Sequence, residues 1–98
     1  MSRRIVFRPQ AEAEVIDAWN WYTDRDPDAG RRFVQELNRC IDRICTTPTA
    51  FPLIEAPLRR ALLRRFPYGI FFRFTEDEIV VVACFHLRRS PARLRKRS

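Results

Sequence analysis

Three side chains in the second half of this sequence, those of Arg65, Arg73 and His86, are of the types that act on phosphate groups. A guanidinium group binds phosphate through paired N–H donors and stabilises the negative charge that develops during phosphoryl transfer. His86 is the one histidine of the chain, and an imidazole exchanges protons near neutral pH as a general acid or base. The same side chains could instead form a docking surface for a carboxylate-rich partner, and a lone histidine at a strand end is more often structural. The residue types leave both uses open.

Pairs of arginines bracket two apolar strands that meet at an acidic turn. The first pair is Arg64-Arg65, the second is Arg88-Arg89, and the turn is Glu76-Asp77-Glu78. Beyond the second pair, residues 92–98 form a basic tail. We therefore expect an electropositive surface that contacts an anionic partner. The residues expected to bind the partner or target are Arg64, Arg65, Arg73, Arg88, Arg89, Arg93 and Arg95.

The net charge of +7 is unevenly distributed along the chain. Residues 10–46 carry a net charge of −3, whereas residues 47–98 carry +7. Eighteen of the 19 basic residues are arginine, the side chain that pairs with carboxylate and phosphate through two parallel hydrogen bonds. This distribution suits an acidic partner protein or a nucleic acid.

Length and composition exclude several classes of protein. A chain of 98 residues is enough for one domain, and no apolar run approaches the roughly 18 residues of a membrane span. The N-terminus lacks the apolar stretch of a signal peptide, so we expect a cytoplasmic protein with no membrane contact. The three cysteines have no C-x-x-C spacing and are expected to be buried free thiols. We expect neither a metal site nor a cofactor, because one histidine offers too few ligands.

Hydrophobic spacing predicts one strand, two helices and three further strands. Apolar residues recur at helical intervals in residues 10–24 and again after Asp26-Pro27, a pair typical of a helix start. Three prolines mark residues 47–57 as a loop. Strands are expected at residues 5–7, 58–66, 70–75 and 79–86. The order β-α-α-β-β-β predicts an α+β fold in which a helical hairpin packs on one face of an antiparallel sheet. The opposite face would then carry arginines such as Arg65 and Arg73, with His86 beside them.

Three segments of the chain resemble the RelE/ParE superfamily of toxins from type II toxin–antitoxin systems, often labelled plasmid stabilisation proteins. The segments are residues 5–11 (IVFRPQA), residues 63–73 (LRRFPYGIFFR) and residues 79–91 (IVVVACFHLRRSP). The resemblance spans residues 4 to 91 and implies a single toxin domain over residues 1–91, followed by the basic tail. It also implies a small basic toxin that is neutralised by an acidic antitoxin, in a toxin–antitoxin hetero-oligomer.

The branches of this superfamily differ in their targets. RelE-like members cut mRNA on the ribosome with basic residues on the sheet, often with a C-terminal Tyr or His, whereas ParE-like members poison DNA gyrase without a recognised catalytic site. Arg65 and His86 match positions that some RNase members use. However, Leu87 stands where several of them carry an aromatic residue, no tyrosine follows Tyr68, and Lys96 is the one lysine.

The resemblance therefore favours a ParE-like inhibitor of DNA gyrase. One alternative is a ribosome-dependent mRNA endonuclease in which Arg65 and Arg73 hold phosphate and His86 moves protons. The other alternative is a plain basic nucleic-acid-binding module. The segment from Phe85 to Pro91 looks closer to the ParE side.

Overall fold

The structure is a computed structural model, and it describes residues 3–88. This part of the chain contains two helices and five strands. The expected tail over residues 92–98 and the candidate binding residues Arg89, Arg93 and Arg95 lie outside this range. The elements are β1 (Arg4–Phe7), α1 (Pro9–Arg25), α2 (Pro27–Thr46), a short 3-10 turn (Pro48–Ala50), β2 (Leu53–Glu55), β3 (Leu58–Leu62), β4 (Tyr68–Phe74) and β5 (Glu78–His86).

The two helices form a tight hairpin because Asp26 is the one residue between them. A proline begins each helix, where its missing N–H group costs nothing. The Asp26 side chain caps α2 by accepting a hydrogen bond of 3.0 Å from the backbone N–H of Asp28. Next to the turn the helices touch at Gly30, where a Cβ atom would overlap the Thr23 hydroxyl. A side chain at this position would therefore require Thr23 to shift.

The α+β class and the order of the elements are confirmed, and the sheet is mixed rather than wholly antiparallel. Its strand order is β1-β5-β4-β3-β2, and β1 pairs with β5 in parallel, from Arg4 opposite Glu78 to Phe7 opposite Val81. The other strand pairs are antiparallel. Apolar alternation reports which face of a strand is buried but not the direction of its neighbour, and so the sequence pattern missed the parallel edge.

The strand bounds differ from expectation on both sides of the predicted loop. A short strand, β2, lies inside residues 47–57, and β3 ends at Leu62 instead of continuing to Phe66. Residues 63–67 form a turn that is closed by a 3.0 Å hydrogen bond from the backbone N–H of Leu63 to the carbonyl of Tyr68. Arg64 and Arg65 consequently lie in a turn, where strand alternation does not decide their direction.

The sheet is apolar on both faces. The helices cover one face, where Phe33, Leu37, Cys40 and Ile44 of α2 belong to the main core. The second face carries its own buried apolar layer, formed by Leu58, Phe71, Val80, Val82, Ala83 and Phe85. Val82 and Ala83 point the same way because the register with β4 shifts at this point, as in a β-bulge. The face expected to be rich in arginine is therefore largely hydrophobic. Within residues 3–88, no helix is long and apolar enough to cross a lipid bilayer.

Candidate functional site

His86 lies at the end of β5 and faces the helices. Its cross-strand partner is Tyr68, and the two rings make an edge-to-face contact with centroids 5.3 Å apart. The residue two positions earlier, Cys84, belongs to the core beneath the helices, which confirms the direction of this face. His86 therefore does not lie on the face opposite the helices, where the alternation pattern had placed it with Arg73.

A cleft of about 490 Å³ surrounds His86 between α1 and β5. Two carboxylates of α1, those of Glu14 and Asp17, line it together with Arg88 and with aromatic side chains that include Trp21. The Glu14 carboxylate also accepts a 2.9 Å hydrogen bond from the backbone N–H of Cys84, which ties α1 to β5. Two acids beside one histidine and one arginine form a poor site for a phosphate group, because the carboxylates repel it.

The imidazole of His86 also has a structural contact. Its Nδ1 atom accepts a hydrogen bond of 3.3 Å from the backbone N–H of Arg88, which closes the turn after β5. Such a bond requires an unprotonated Nδ1, and so His86 acts here as a local acceptor. This contact matches the structural use of a histidine at a strand end.

Arg65 lies on a different side of the molecule, in the turn before β4. Its φ of 70° is in the left-handed region, which is unfavourable for a residue with a Cβ atom. Its side chain lines a cleft of about 430 Å³ beside α2, together with Arg32, Glu36 and Arg39. Arg65 is thus grouped with arginines of α2 and not with His86.

Arg73 is separated from both of the other candidates. It lies opposite Val80, a residue of the apolar layer on the face away from the helices. Along β4, Arg73 is five residues from Tyr68, the partner of His86, which corresponds to about 17 Å of strand. Arg65, Arg73 and His86 were expected to share one surface, and this expectation is wrong. Arg65 lies in a turn, whereas Arg73 and His86 lie on opposite faces of the sheet.

Arg64 and Arg88 also point to different clefts. Arg88 lines the His86 cleft. Arg64 lines a cleft of about 330 Å³ that also contains Arg43, Arg60 and Leu62. The clefts lined by Arg64 and Arg65 share no lining residue, but residues that line them are neighbours in the chain, because Arg64 precedes Arg65 and Arg39 is one helical turn from Arg43. The six arginines that line them form what we call the arginine surface: Arg32, Arg39, Arg43, Arg60, Arg64 and Arg65.

Sequence reasoning missed four residues of the arginine surface, namely Arg32, Arg39, Arg43 and Arg60. The net negative charge of residues 10–46 concealed the three on α2, because eight acids in that segment outweigh its five arginines. A signal was nevertheless present, since Arg32, Arg39 and Arg43 are spaced by seven and four residues and therefore share one side of a helix.

Cysteine chemistry and metal binding have no support in this part of the chain. Burial raises the pKa of the Cys40 thiol to about 11, and burial also raises the pKa of Cys45. Both side chains are consequently thiols rather than nucleophilic thiolates at neutral pH. Between residues 3 and 88, no cluster of three or more His, Cys, Asp or Glu side chains is placed to hold a metal ion.

Comparisons with known proteins agree on one family. The model of the ParE toxin of the type II toxin–antitoxin system parDE matches residues 5–91. Toxin ParE2 of Mycobacterium tuberculosis, from two strains, is 28% identical over 92 residues, which covers 93% of this chain and 88% of that protein. A chain in the structure of the chromosomal ParDE system from P. aeruginosa shares the fold, with a TM-score of 0.73 and 17% identity over 86% of this chain and 95% of that one. Since the family model spans nearly the whole sequence, this chain belongs to the ParE toxins of type II toxin–antitoxin systems.

Proposed function

We propose that this ParE-type toxin inhibits DNA gyrase in the cytoplasm and that an acidic antitoxin neutralises it. The separation of Arg65, Arg73 and His86 is the observation that favours gyrase over mRNA as the target. General acid–base cleavage of RNA needs phosphate-binding and proton-transferring groups within hydrogen-bond reach of one phosphodiester. A toxin that acts by binding has no such requirement.

The surroundings of His86 support the same choice. Glu14 and Asp17 line its cleft, and its Nδ1 atom is engaged by the backbone of Arg88. A phosphate in this cleft would be repelled by two carboxylates. The net charge of +7 supports the antitoxin part of the proposal, because a strongly basic protein associates readily with an acidic one.

Purified protein should inhibit the supercoiling of relaxed plasmid by gyrase, and His86→Gln should inhibit it equally well. The physical reason is that a binding toxin does not need the imidazole to move a proton. The measurement is a supercoiling assay on agarose gels, accompanied by transcript analysis in a translation extract.

Intact supercoiling at a large molar excess of toxin would refute the gyrase proposal. Transcript cleavage by the natural protein that disappears in His86→Gln would establish the endonuclease alternative instead. Arg4→Gln in the edge strand β1 serves as the control, because its guanidinium pairs with Glu78 and lines none of the clefts described above.

A further inference from the structure

The arginine surface concentrates positive charge beside α2 and around the adjacent edge of the sheet, where Arg60 lies opposite Phe71. Arg32, Arg39 and Arg43 follow the flank of α2 that borders the sheet, and Arg64 and Arg65 of the turn before β4 line the same two clefts. In residues 3–88, Glu36 is the one acid that lines either of the two clefts, and it is buried and already paired with Arg39. An anion that enters these clefts therefore meets a strong excess of positive charge.

Two of these arginines are not engaged in hydrogen bonds or ion pairs that stabilise the described fold. Within the described residues, the guanidinium groups of Arg64 and Arg65 make no hydrogen bond or ion pair, and both residues are exposed. By contrast, Arg43 donates a 3.0 Å hydrogen bond to the carbonyl of Leu62, and Arg32 lies 3.6 Å from the carboxylate of Asp26. Arg65 moreover holds a left-handed backbone conformation that a glycine would adopt without cost. Strain of this kind, at a side chain with no hydrogen bond or ion pair within residues 3–88, is a feature of many binding sites.

The walls between the arginines are apolar. Tyr22 and Phe66 line the first cleft, and Phe51, Pro52 and Leu62 line the second. Leu62 is 45% exposed, so that its side chain is accessible to a partner. The clefts, of about 430 and 330 Å³, have room for single side chains.

These walls suit a peptide better than a nucleic acid. A base needs an open ring face for stacking, but Tyr22 is stacked on Phe33 and meets Phe66 edge to face. Phe51 likewise packs edge to face against Phe72. The second cleft offers aliphatic and proline surface, which accommodates apolar side chains. A polypeptide that alternates acidic and apolar residues supplies carboxylates to the arginines and apolar groups to the walls at the same time.

We propose that the arginine surface is a docking site for a polypeptide segment in which acidic and apolar residues alternate. Its carboxylates pair with Arg64, Arg65 and the arginines of α2, while its apolar side chains enter the two clefts. The inference deepens the proposed function, because the natural owner of such a segment would be the acidic antitoxin.

The test uses the full chain and a synthetic probe, a short fluorescein-labelled peptide in which glutamate and leucine alternate. Fluorescence anisotropy measures its dissociation constant, with a glutamine-for-glutamate peptide and a DNA duplex of similar size as comparison ligands. The double variant Arg64→Gln/Arg65→Gln is expected to weaken binding of the acidic peptide about tenfold, since it removes two charge-assisted contacts. It should fold normally because neither side chain has a partner in the described structure.

The control for charge is the double variant Arg8→Gln/Arg31→Gln, which removes the same formal charge from exposed positions that line neither cleft, with Arg31 leaving an ion pair to Asp28. It should change the dissociation constant by less than about twofold. Equal losses in the two double variants would overturn the proposal, because net charge alone would then explain binding. Absence of peptide binding would overturn the proposal as well. So would DNA binding that is tighter than peptide binding and is lost in Arg64→Gln/Arg65→Gln.

This outcome is independent of the gyrase assay. Peptide binding without gyrase inhibition would refute the proposed target and leave the docking site intact. Gyrase inhibition without peptide binding would support the proposed target and overturn the docking site.

Discussion

At the residue scale, Arg65 shows how backbone conformation and function can conflict. The left-handed region places the Cβ atom of an L-residue too close to its own carbonyl, at a cost of roughly 1–2 kcal/mol. The φ of 70° at Arg65 carries this cost, and the side chain gives no hydrogen bond or ion pair within residues 3–88 in return. The position would be expected to hold glycine if stability alone determined it.

Replacement of Arg65 by glycine should therefore give a more stable protein than replacement by alanine, by about 1 kcal/mol. Both substitutions remove the guanidinium, but alanine keeps the Cβ atom that clashes in the left-handed region. Urea unfolding of the two variants, followed by circular dichroism, measures the difference. An alanine variant as stable as the glycine variant would mean that the turn does not hold φ near 70° in solution.

At the scale of single elements, α2 has two separate tasks. One side carries the apolar stripe of Phe33, Leu37, Cys40 and Ile44 into the core. An adjoining flank carries Arg32, Arg39 and Arg43. The buried stripe fixes the rotation of the helix about its axis, and this rotation in turn directs the arginines toward the turn before β4.

Leu37→Ala should lower the free energy of unfolding by about 2–5 kcal/mol, since it leaves a cavity between α2 and the sheet. Leu37 is 6% exposed and belongs to the main core. Val34→Ala is the control from the same helix, because Val34 is 37% exposed and should cost under about 1 kcal/mol. Equilibrium denaturation measures both, and a loss at Leu37 as small as that at Val34 would contradict the packing described here.

At the scale of the whole molecule, charge and hydrophobic surface are arranged independently. The second face of the sheet is a buried apolar layer, whereas the arginine surface lies beside α2. The acids of α1 line the His86 cleft at the other side of the helical hairpin. Within residues 3–88, charge is therefore distributed asymmetrically, with arginines concentrated at the arginine surface and carboxylates in the His86 cleft.

Association with an acidic antitoxin should accordingly slow steeply as salt is added. Raising the ionic strength from low to well above physiological shortens the Debye length to a few ångströms, and the association rate should fall by about tenfold or more. The dissociation rate should change much less, because contacts within the complex are less screened. Stopped-flow mixing at several salt concentrations measures both, and an association rate independent of salt would exclude electrostatic steering.

Sequence alone determined the class of this fold and the order of its elements. Helical and strand periodicities reflect burial within one element, and prolines such as Pro9 and Pro27 mark where helices begin, so these features are local and can be read directly. Residues 5–11, 63–73 and 79–91 also pointed to the correct superfamily. The parallel pairing of β1 with β5 was not readable, because it depends on a distant partner.

The tertiary structure alone decided which candidate residues lie together. Arg65 and His86 are both in the second half of the chain, yet an early end to β3 and the facing of β5 place them in different clefts. Arg32 and Arg39, far away in the sequence and within a segment of net negative charge, lie beside Arg65 instead. The physical reason is that a charged side chain on the surface has no periodic burial signal of its own, and its neighbours are set by the packing of the elements that carry it.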